Sequence, residues 1–202
     1  YPPEIFIQQL EKVAGGFEHS LAELRAGTVQ SAATAVQRRA LEANPNYVDS
    51  LQNLANSLRE LGQFAEAKVQ LEKAERLRPD DAEVQNNVGV LLASQNQVPK
   101  AIERFRLAVR LDPYYAPAHI NLGKTLSQSG EVEESIRELQ TAIRLAPVRA
   151  DLHNELGVML GQNNQNQLAI EQFEMALQLE PKLARAYNNL AVSLALTSRP
   201  SE

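Results

Sequence analysis

Cysteine and tryptophan are absent from the 202 residues, and methionine occurs only twice. Without cysteine there is no disulfide, zinc finger, iron–sulfur ligation or thiol nucleophile. The compartment stays open between cytoplasmic, periplasmic and secreted locations, because all of them tolerate the absence. A basic surplus is missing too. Twenty Lys and Arg stand against 25 Asp and Glu, a formal charge of −5, whereas phosphate backbones attract chains rich in Lys and Arg. Nucleic acid is therefore not expected as a partner. The longest nearly unbroken apolar run, Val88-Gly-Val-Leu-Leu-Ala93, falls far short of the about 20 residues that cross a bilayer, so no membrane span is expected. The first residue is Tyr1 rather than Met, with no basic or apolar leader region ahead of it, which raises the expectation that a signal peptide or a further domain has been removed.

Also missing are the phosphate-cradling GxxxxGKS/T, the dinucleotide GxGxxG, the zinc-binding HExxH and the nucleophile elbow GxSxG. No enzyme activity and no cofactor are expected of this chain. What is present is a composition of 44% hydrophobic and 22% charged residues, that of a folded protein with a buried core.

The prolines reveal the organisation. Pro45, Pro79, Pro113, Pro147 and Pro181 lie 34 residues apart, and other residue types recur in the same register. Counting from three residues after each proline, position 7 holds Leu54, Val88, Leu122, Leu156 and Leu190. Position 8 holds Ala55, Gly89, Gly123, Gly157 and Ala191, and position 11 holds Leu58, Leu92, Leu126, Leu160 and Leu194. Spacings of three and four put these on one helical face. A second face follows a break: Ala67, Ala101, Ser135 and Ala169 at 20, Leu71, Phe105, Leu139 and Phe173 at 24, Ala74, Ala108, Ala142 and Ala176 at 27. Between the two faces, position 15 holds Gly62, Asn96, Gly130 and Asn164, the residue types that accept the left-handed backbone at a helix end. Pro99 and Pro117 fall in first turns, where a missing N–H costs little.

The expected fold is all-α, a right-handed α-solenoid of antiparallel helix pairs. Its expected parts are an apolar N-terminal segment over 1–13, a degenerate unit over 14–47, units over 48–81, 82–115, 116–149 and 150–183, and a half unit over 184–202, in one continuous domain. In the degenerate unit Ser20 and Gln37 take apolar positions while Phe17, Leu24, Ala33, Ala40 and Pro45 keep the frame. Ile5, Phe6, Ile7, Leu10 and Val13 form a cap over an otherwise open end, or a segment that docks on a partner or on a second copy; Gly15-Gly16 lets it bend.

Other features read as structure. His119 and His153 share position 4, where packing is a better account than metal ligation, which would need ligands converging from distant turns; His19 stands alone. Glu131, Glu133, Glu134 and Glu138 fit a solvated face, and Gln162-Asn-Asn-Gln-Asn-Gln167 fits an interhelix loop rather than an aggregation element.

This pattern resembles the tetratricopeptide repeat (TPR) family over 48–196. The resemblance implies that the first helix of each unit lines a concave wall, with positions 2, 5, 6, 9, 12 and 13 facing the groove. Asn53, Asn87, Asn121 and Asn189 recur at position 6, interrupted by Glu155, with Gln52, Asn86, Asn154 and Asn188 beside them at position 5. Each amide offers donors and an acceptor, so a ladder of them suits the backbone of an extended peptide from another protein. The candidate peptide-binding residues are Asn53, Asn87, Asn121 and Asn189, flanked by Asn56, Asn86, Lys124, Asn154, Asn188 and Arg185. The ladder, and the stretch Ala116-Pro-Ala-His-Ile-Asn-Leu-Gly123, are similar to those of O-GlcNAc transferases, whose TPR groove holds substrate peptide by its backbone.

The carboxylate clamp known in the family is disfavoured. Asn56 and Asn87 match it, but Gln52, Pro117 and Asn121 stand where its cations belong. Groove charges are mixed, with Glu18, Asp49, Glu60, Glu83, Asp151 and Glu155 against Arg25, Arg59, Lys124 and Arg185, while Ile120, Val158, Val192 and Leu196 add apolar surface toward the C-terminal end. The function expected is a non-catalytic scaffold that binds an extended segment of a partner protein. Two alternatives stand beside it: the substrate-recruiting arm of a larger protein-modifying enzyme, and a scaffold that self-associates through Ile5 to Val13.

Overall fold

A computed structural model describes residue 31 and residues 33–197. The segment 1–13, the pair Gly15-Gly16, His19, Glu18, Arg25 and the last five positions lie outside them. Among the described residues there are ten helices and no strand. They are α1 (33–43), α2 (Val48–Glu60), α3 (Phe64–Leu77), α4 (Ala82–Ser94), α5 (Val98–Leu111), α6 (Ala116–Ser129), α7 (Val132–Leu145), α8 (Ala150–Gln162), α9 (Asn166–Leu179) and α10 (Ala184–Thr197).

The tight turns inside each pair follow from position 15. Gly62, Asn96, Gly130 and Asn164 have φ of 74°, 59°, 81° and 58°. The residue after each donates its N–H back to a leucine carbonyl five residues earlier: Gln63 to Leu58 at 2.8 Å, Gln97 to Leu92 at 2.9 Å, Glu131 to Leu126 at 3.0 Å and Gln165 to Leu160 at 2.9 Å. This closes the first helix and aims the chain back antiparallel. Pro99 and Pro117 sit in the first turns of α5 and α6. Asp81 caps α4, accepting from the N–H groups of Glu83 and Val84.

The chain forms two compact units that meet in sequence between Arg78 and Pro79. The first contains α1 to α3. Its core is Leu51, Leu54, Ala55 and Leu58 of α2 against Ala67, Leu71 and Ala74 of α3, all buried. An ion pair between Arg38 and Glu66 at 2.6 Å and a bond from Lys73 to the Pro45 carbonyl tie its surface.

The second unit contains α4 to α10. The helices pack in pairs, α4 with α5, α6 with α7 and α8 with α9, and each second helix packs against the first helix of the following pair. First helices also touch one another, α4 with α6, α6 with α8 and α8 with α10, whereas among the described residues no contact joins α5 with α7 or α7 with α9. A row whose first helices are closer together than its second helices curves toward the first helices. Within this unit, α4, α6, α8 and α10 therefore form the inner wall. Close approach within each pair depends on small residues. A Cβ added to Gly89 would stand 2.6 Å from the Phe105 ring, and one added to Gly157 2.5 Å from the Phe173 ring.

Candidate functional site

The expected residues fall into two layers. Asn53 is exposed and Asn56 half-buried in the first unit. In the second, Asn121, Lys124 and Asn189 are half-buried, and Asn188 and Arg185 are exposed. Asn86, Asn87 and Asn154 are buried at 4%, 8% and 4% exposure. Position 5 thus does not line the groove in the complete pairs: Gln52, Asn86, Ile120 and Asn154 are all buried, and only Asn188 on the last helix reaches solvent. In the second unit the reason is that first helices pack on one another along that edge.

The buried amides orient the half-buried ones. Asn121 Nδ2 donates to Asn86 Oδ1 at 2.8 Å, and Asn189 Nδ2 donates to Asn154 Oδ1 at 3.0 Å. Each link joins position 6 of one first helix to position 5 of the preceding one, 35 residues earlier. Where position 5 is Ile120, with no polar atom, position 6 is Glu155, which accepts instead from Ser127 Oγ at 3.1 Å. The interruption of the ladder is thereby explained: an amide at 155 would lose its partner. After the link, Asn121 and Asn189 each keep one N–H and an oxygen with lone-pair capacity.

Beside Asn121 lies a charged cluster. Lys124 Nζ and Arg149 both bond Asp151, at 2.9 Å and 2.7 Å. Burial alone would raise the Asp151 carboxyl, but hydrogen bonds from Arg149 and Lys124 outweigh it and bring it down to about 2. A carboxyl depressed on folding stabilises the fold above its unfolded value and loses that contribution as pH falls through the folded one. With the side chain 27% exposed, solvent screening leaves about 1–2 kcal/mol. Between pH 5 and pH 2 the native chain is expected to lose about that much more stability than Asp151→Asn, measured by urea titration at each pH; parallel curves would show the cluster to be energetically idle.

At the C-terminal end of the same wall, α8, the start of α9 and α10 enclose a cleft of about 240 Å³ lined by Val158, Gln162, Asn166, Asn189, Val192 and Leu196. Asn166 Oδ1 is buried there and has no hydrogen-bond partner. The sequence pattern places Asn166 in an interhelix loop and misses this role; its place in the first turn of α9, lining the same cleft as Asn189, is a tertiary property.

The outer side uses position 4. Gln85, His119, His153 and Tyr187 bond the carbonyls of Pro79, Pro113, Pro147 and Pro181, at 2.9, 3.0, 3.4 and 3.2 Å. Gln85, His119 and His153 also reach across to the second helix of their own pair, to Arg104, Glu138 and Gln172. Both nitrogens of each described histidine are thus engaged in packing. Among the described residues no cluster of His, Asp and Glu could hold a metal ion, and no helix is long and apolar enough to cross a membrane. A wider cleft of about 810 Å³ lies over His153 and Leu156 between α7 and α9, rimmed by Arg137, Arg144 and Met175.

Two tetratricopeptide repeat models match residues 53–116 and 92–154, together half of the chain. The chain belongs to the tetratricopeptide repeat family. Solved TPR structures share the fold. MamA aligns with a TM-score of 0.65 and 24% identity over 81% of this chain and 95% of its own. TTC0263, a thermophilic TPR protein of Thermus thermophilus, aligns with a TM-score of 0.67 and 21% identity over 86% and 95%. YrrB, a TPR protein with an unusual peptide-binding site, aligns with a TM-score of 0.63 and 21% identity over 91% and 96%. No curated protein sequence matches the chain. Its architecture is that of a TPR protein, an all-α solenoid of helix pairs.

Proposed function

We propose that this TPR chain is a non-catalytic interaction module that holds an extended segment of a partner protein along the first-helix wall, with Asn121 and Asn189 as backbone-binding amides. The observation that carries this reading is the C-terminal cleft. There Asn166, whose buried Oδ1 has no hydrogen-bond partner, lines the same cleft as Asn189, which Asn154 already orients, and Val158, Val192 and Leu196 supply room for an apolar side chain. A peptide backbone brings the N–H that Asn166 lacks and the carbonyl that the remaining Asn189 N–H can serve. Asn188 and Arg185 flank the segment; Asn86 and Asn154 act from beneath by fixing Asn121 and Asn189, and Asn87 belongs to the same buried layer. Lys124 is held by Asp151 and contributes charge at the rim. The peptide-binding site of YrrB, a chain of the same fold, is consistent with this use.

Neutral hydrogen bonds contribute about 0.5–1.5 kcal/mol each, so removing one amide weakens binding by about 2–10-fold. Partner proteins captured from source-cell extract on the native chain are expected to be lost, or retained only weakly, on Asn121→Ala/Asn189→Ala, once circular dichroism shows equal helicity. Because Asn121 and Asn189 also tie neighbouring helices, the exposed Asn188→Ala and the apolar Val192→Glu provide variants that spare those links. Retention of the same partners by all of them would place binding elsewhere on the chain.

A further inference from the structure

In the row of position 6 residues, Glu155 is the member that carries a charge. It lies half-buried on α8, between Asn121 on α6 and Asn189 on α10. The helices α6, α8 and α10 contain two carboxylates in all, Asp151 and Glu155. Asp151 is held by both Lys124 and Arg149. Glu155 accepts one hydrogen bond, from Ser127 Oγ at 3.1 Å, and among the described residues no cation pairs with it. A single hydroxyl leaves most of a carboxylate's accepting capacity unused, and a half-buried charge without a counter-ion is costly to keep. A backbone N–H from a bound segment would use that capacity; a Lys or Arg would use it and cancel the charge as well.

The neighbouring cleft has the opposite character. None of the residues lining it is charged, and its volume of about 240 Å³ lies below the roughly 300–1,000 Å³ of sites for drug-sized molecules, so it suits a single apolar side chain. Val158, on its wall, follows Glu155 by three residues on the same face of α8, about 4.5 Å along the axis. An extended chain returns its side chains to one face at every second residue, a step of about 6–7 Å. Two side chains that both face this wall, one at Glu155 and one in the cleft beyond Val158, are therefore two residues apart.

We propose, resting on the reading that an extended segment lies along this wall, that the segment carries a Lys or Arg two residues from an apolar residue, with the cation on Glu155 and the apolar side chain in the C-terminal cleft. Glu155 is then a specificity-determining residue of the groove and not a gap in its ladder.

The probes are acetyl-Gly-Lys-Ala-Leu-Ala-amide and the same five residues in reverse order, titrated into the full chain and followed by NMR at the methyl groups of Val158, Val192 and Leu196. Saturable shifts are expected with at least one order. In that order, glutamine in place of the lysine is expected to weaken binding at least about threefold, and glutamate about tenfold. Because a chain of formal charge −5 attracts any cationic peptide, a peptide of the same composition with lysine and leucine adjacent is the control, expected to bind no better than the glutamine peptide. Glu155→Gln keeps an acceptor for Ser127 and is expected to bring the lysine, glutamine and glutamate peptides within about twofold of one another. A lost preference, unlike lost binding, cannot come from a misfolded variant. Equal binding of the lysine and glutamine peptides by the native chain overturns the proposal while the wall reading stands, and so does a preference that Glu155→Gln retains. Absence of saturable shifts with every peptide overturns it too. The wall reading fails by a separate result, retention of the same captured partners by Asn121→Ala/Asn189→Ala, Asn188→Ala and Val192→Glu alike.

Discussion

Phe173→Ala is expected to remove about 3–5 kcal/mol of stability. Phe173 is 2% exposed within a cluster that includes Ile120, Leu139, Leu152, Leu156, Met159 and Leu160, drawn from α6, α7 and α8 as well as its own α9. Truncation leaves a ring-sized void that helices held by turns and inter-helix bonds cannot close, so the transfer loss and the cavity loss add. A solenoid is stabilised chiefly between neighbours, which localises the damage. In urea the midpoint is expected to fall, and in native-state hydrogen exchange the amides of α8 to α10 are expected to lose protection while those of α4 and α5 keep it. A uniform loss across the second unit would show that it unfolds as one block.

Gly157→Ala is expected to destabilise by about 2–3 kcal/mol, although the same change in an open helix stabilises by about 1 kcal/mol. The new Cβ would stand 2.5 Å from Phe173 Cε1, and the ring is buried without room to turn. In a Phe173→Leu background the penalty is expected to vanish, since the first unit already pairs alanine with leucine at Ala55 and Leu71. The double-mutant cycle therefore measures a coupling of about 2 kcal/mol; additive effects would mean that the close approach of α8 and α9 rests on something other than these two residues. Gly161→Ala, where an added Cβ meets only Ala169 at 4.0 Å, serves as the control and is expected to cost nothing.

Much of this architecture is readable from residue types at fixed spacing. Left-handed turns at Gly62, Asn96, Gly130 and Asn164, proline starts at Pro99 and Pro117, and small-against-large packing in each pair are local rules, and local rules leave periodic traces. The candidate site is less readable because its geometry joins helices. Nothing within one unit shows that Asn86 and Asn154 lie beneath Asn121 and Asn189; the trace is a spacing of 35 rather than 34, visible only when position 5 of one unit is compared with position 6 of the following one. The same comparison accounts for Glu155 after Ile120. The bonds from position 4 to the proline carbonyls are hidden for another reason. Gln, His and Tyr share no size or charge, only an atom able to reach a carbonyl six residues back. Asn166 is hidden by composition, since its amide-rich surroundings resemble a solvated loop.

The staggered amide links bear on how such a chain can grow or shrink over evolutionary time. Loss of residues 116–149 by slippage would set Asn86 against Glu155, an amide facing a carboxylate, and the new junction would still bond. Loss of residues 150–183 would set Ile120 against Asn189, leaving the amide without its acceptor. The helix pairs are interchangeable as packing blocks but not as lengths of groove. Ile120 needs Glu155 after it whereas Glu155 accepts an amide before it as well, so a duplication of residues 116–149 alone sets Ile120 against Asn121 and creates a seam.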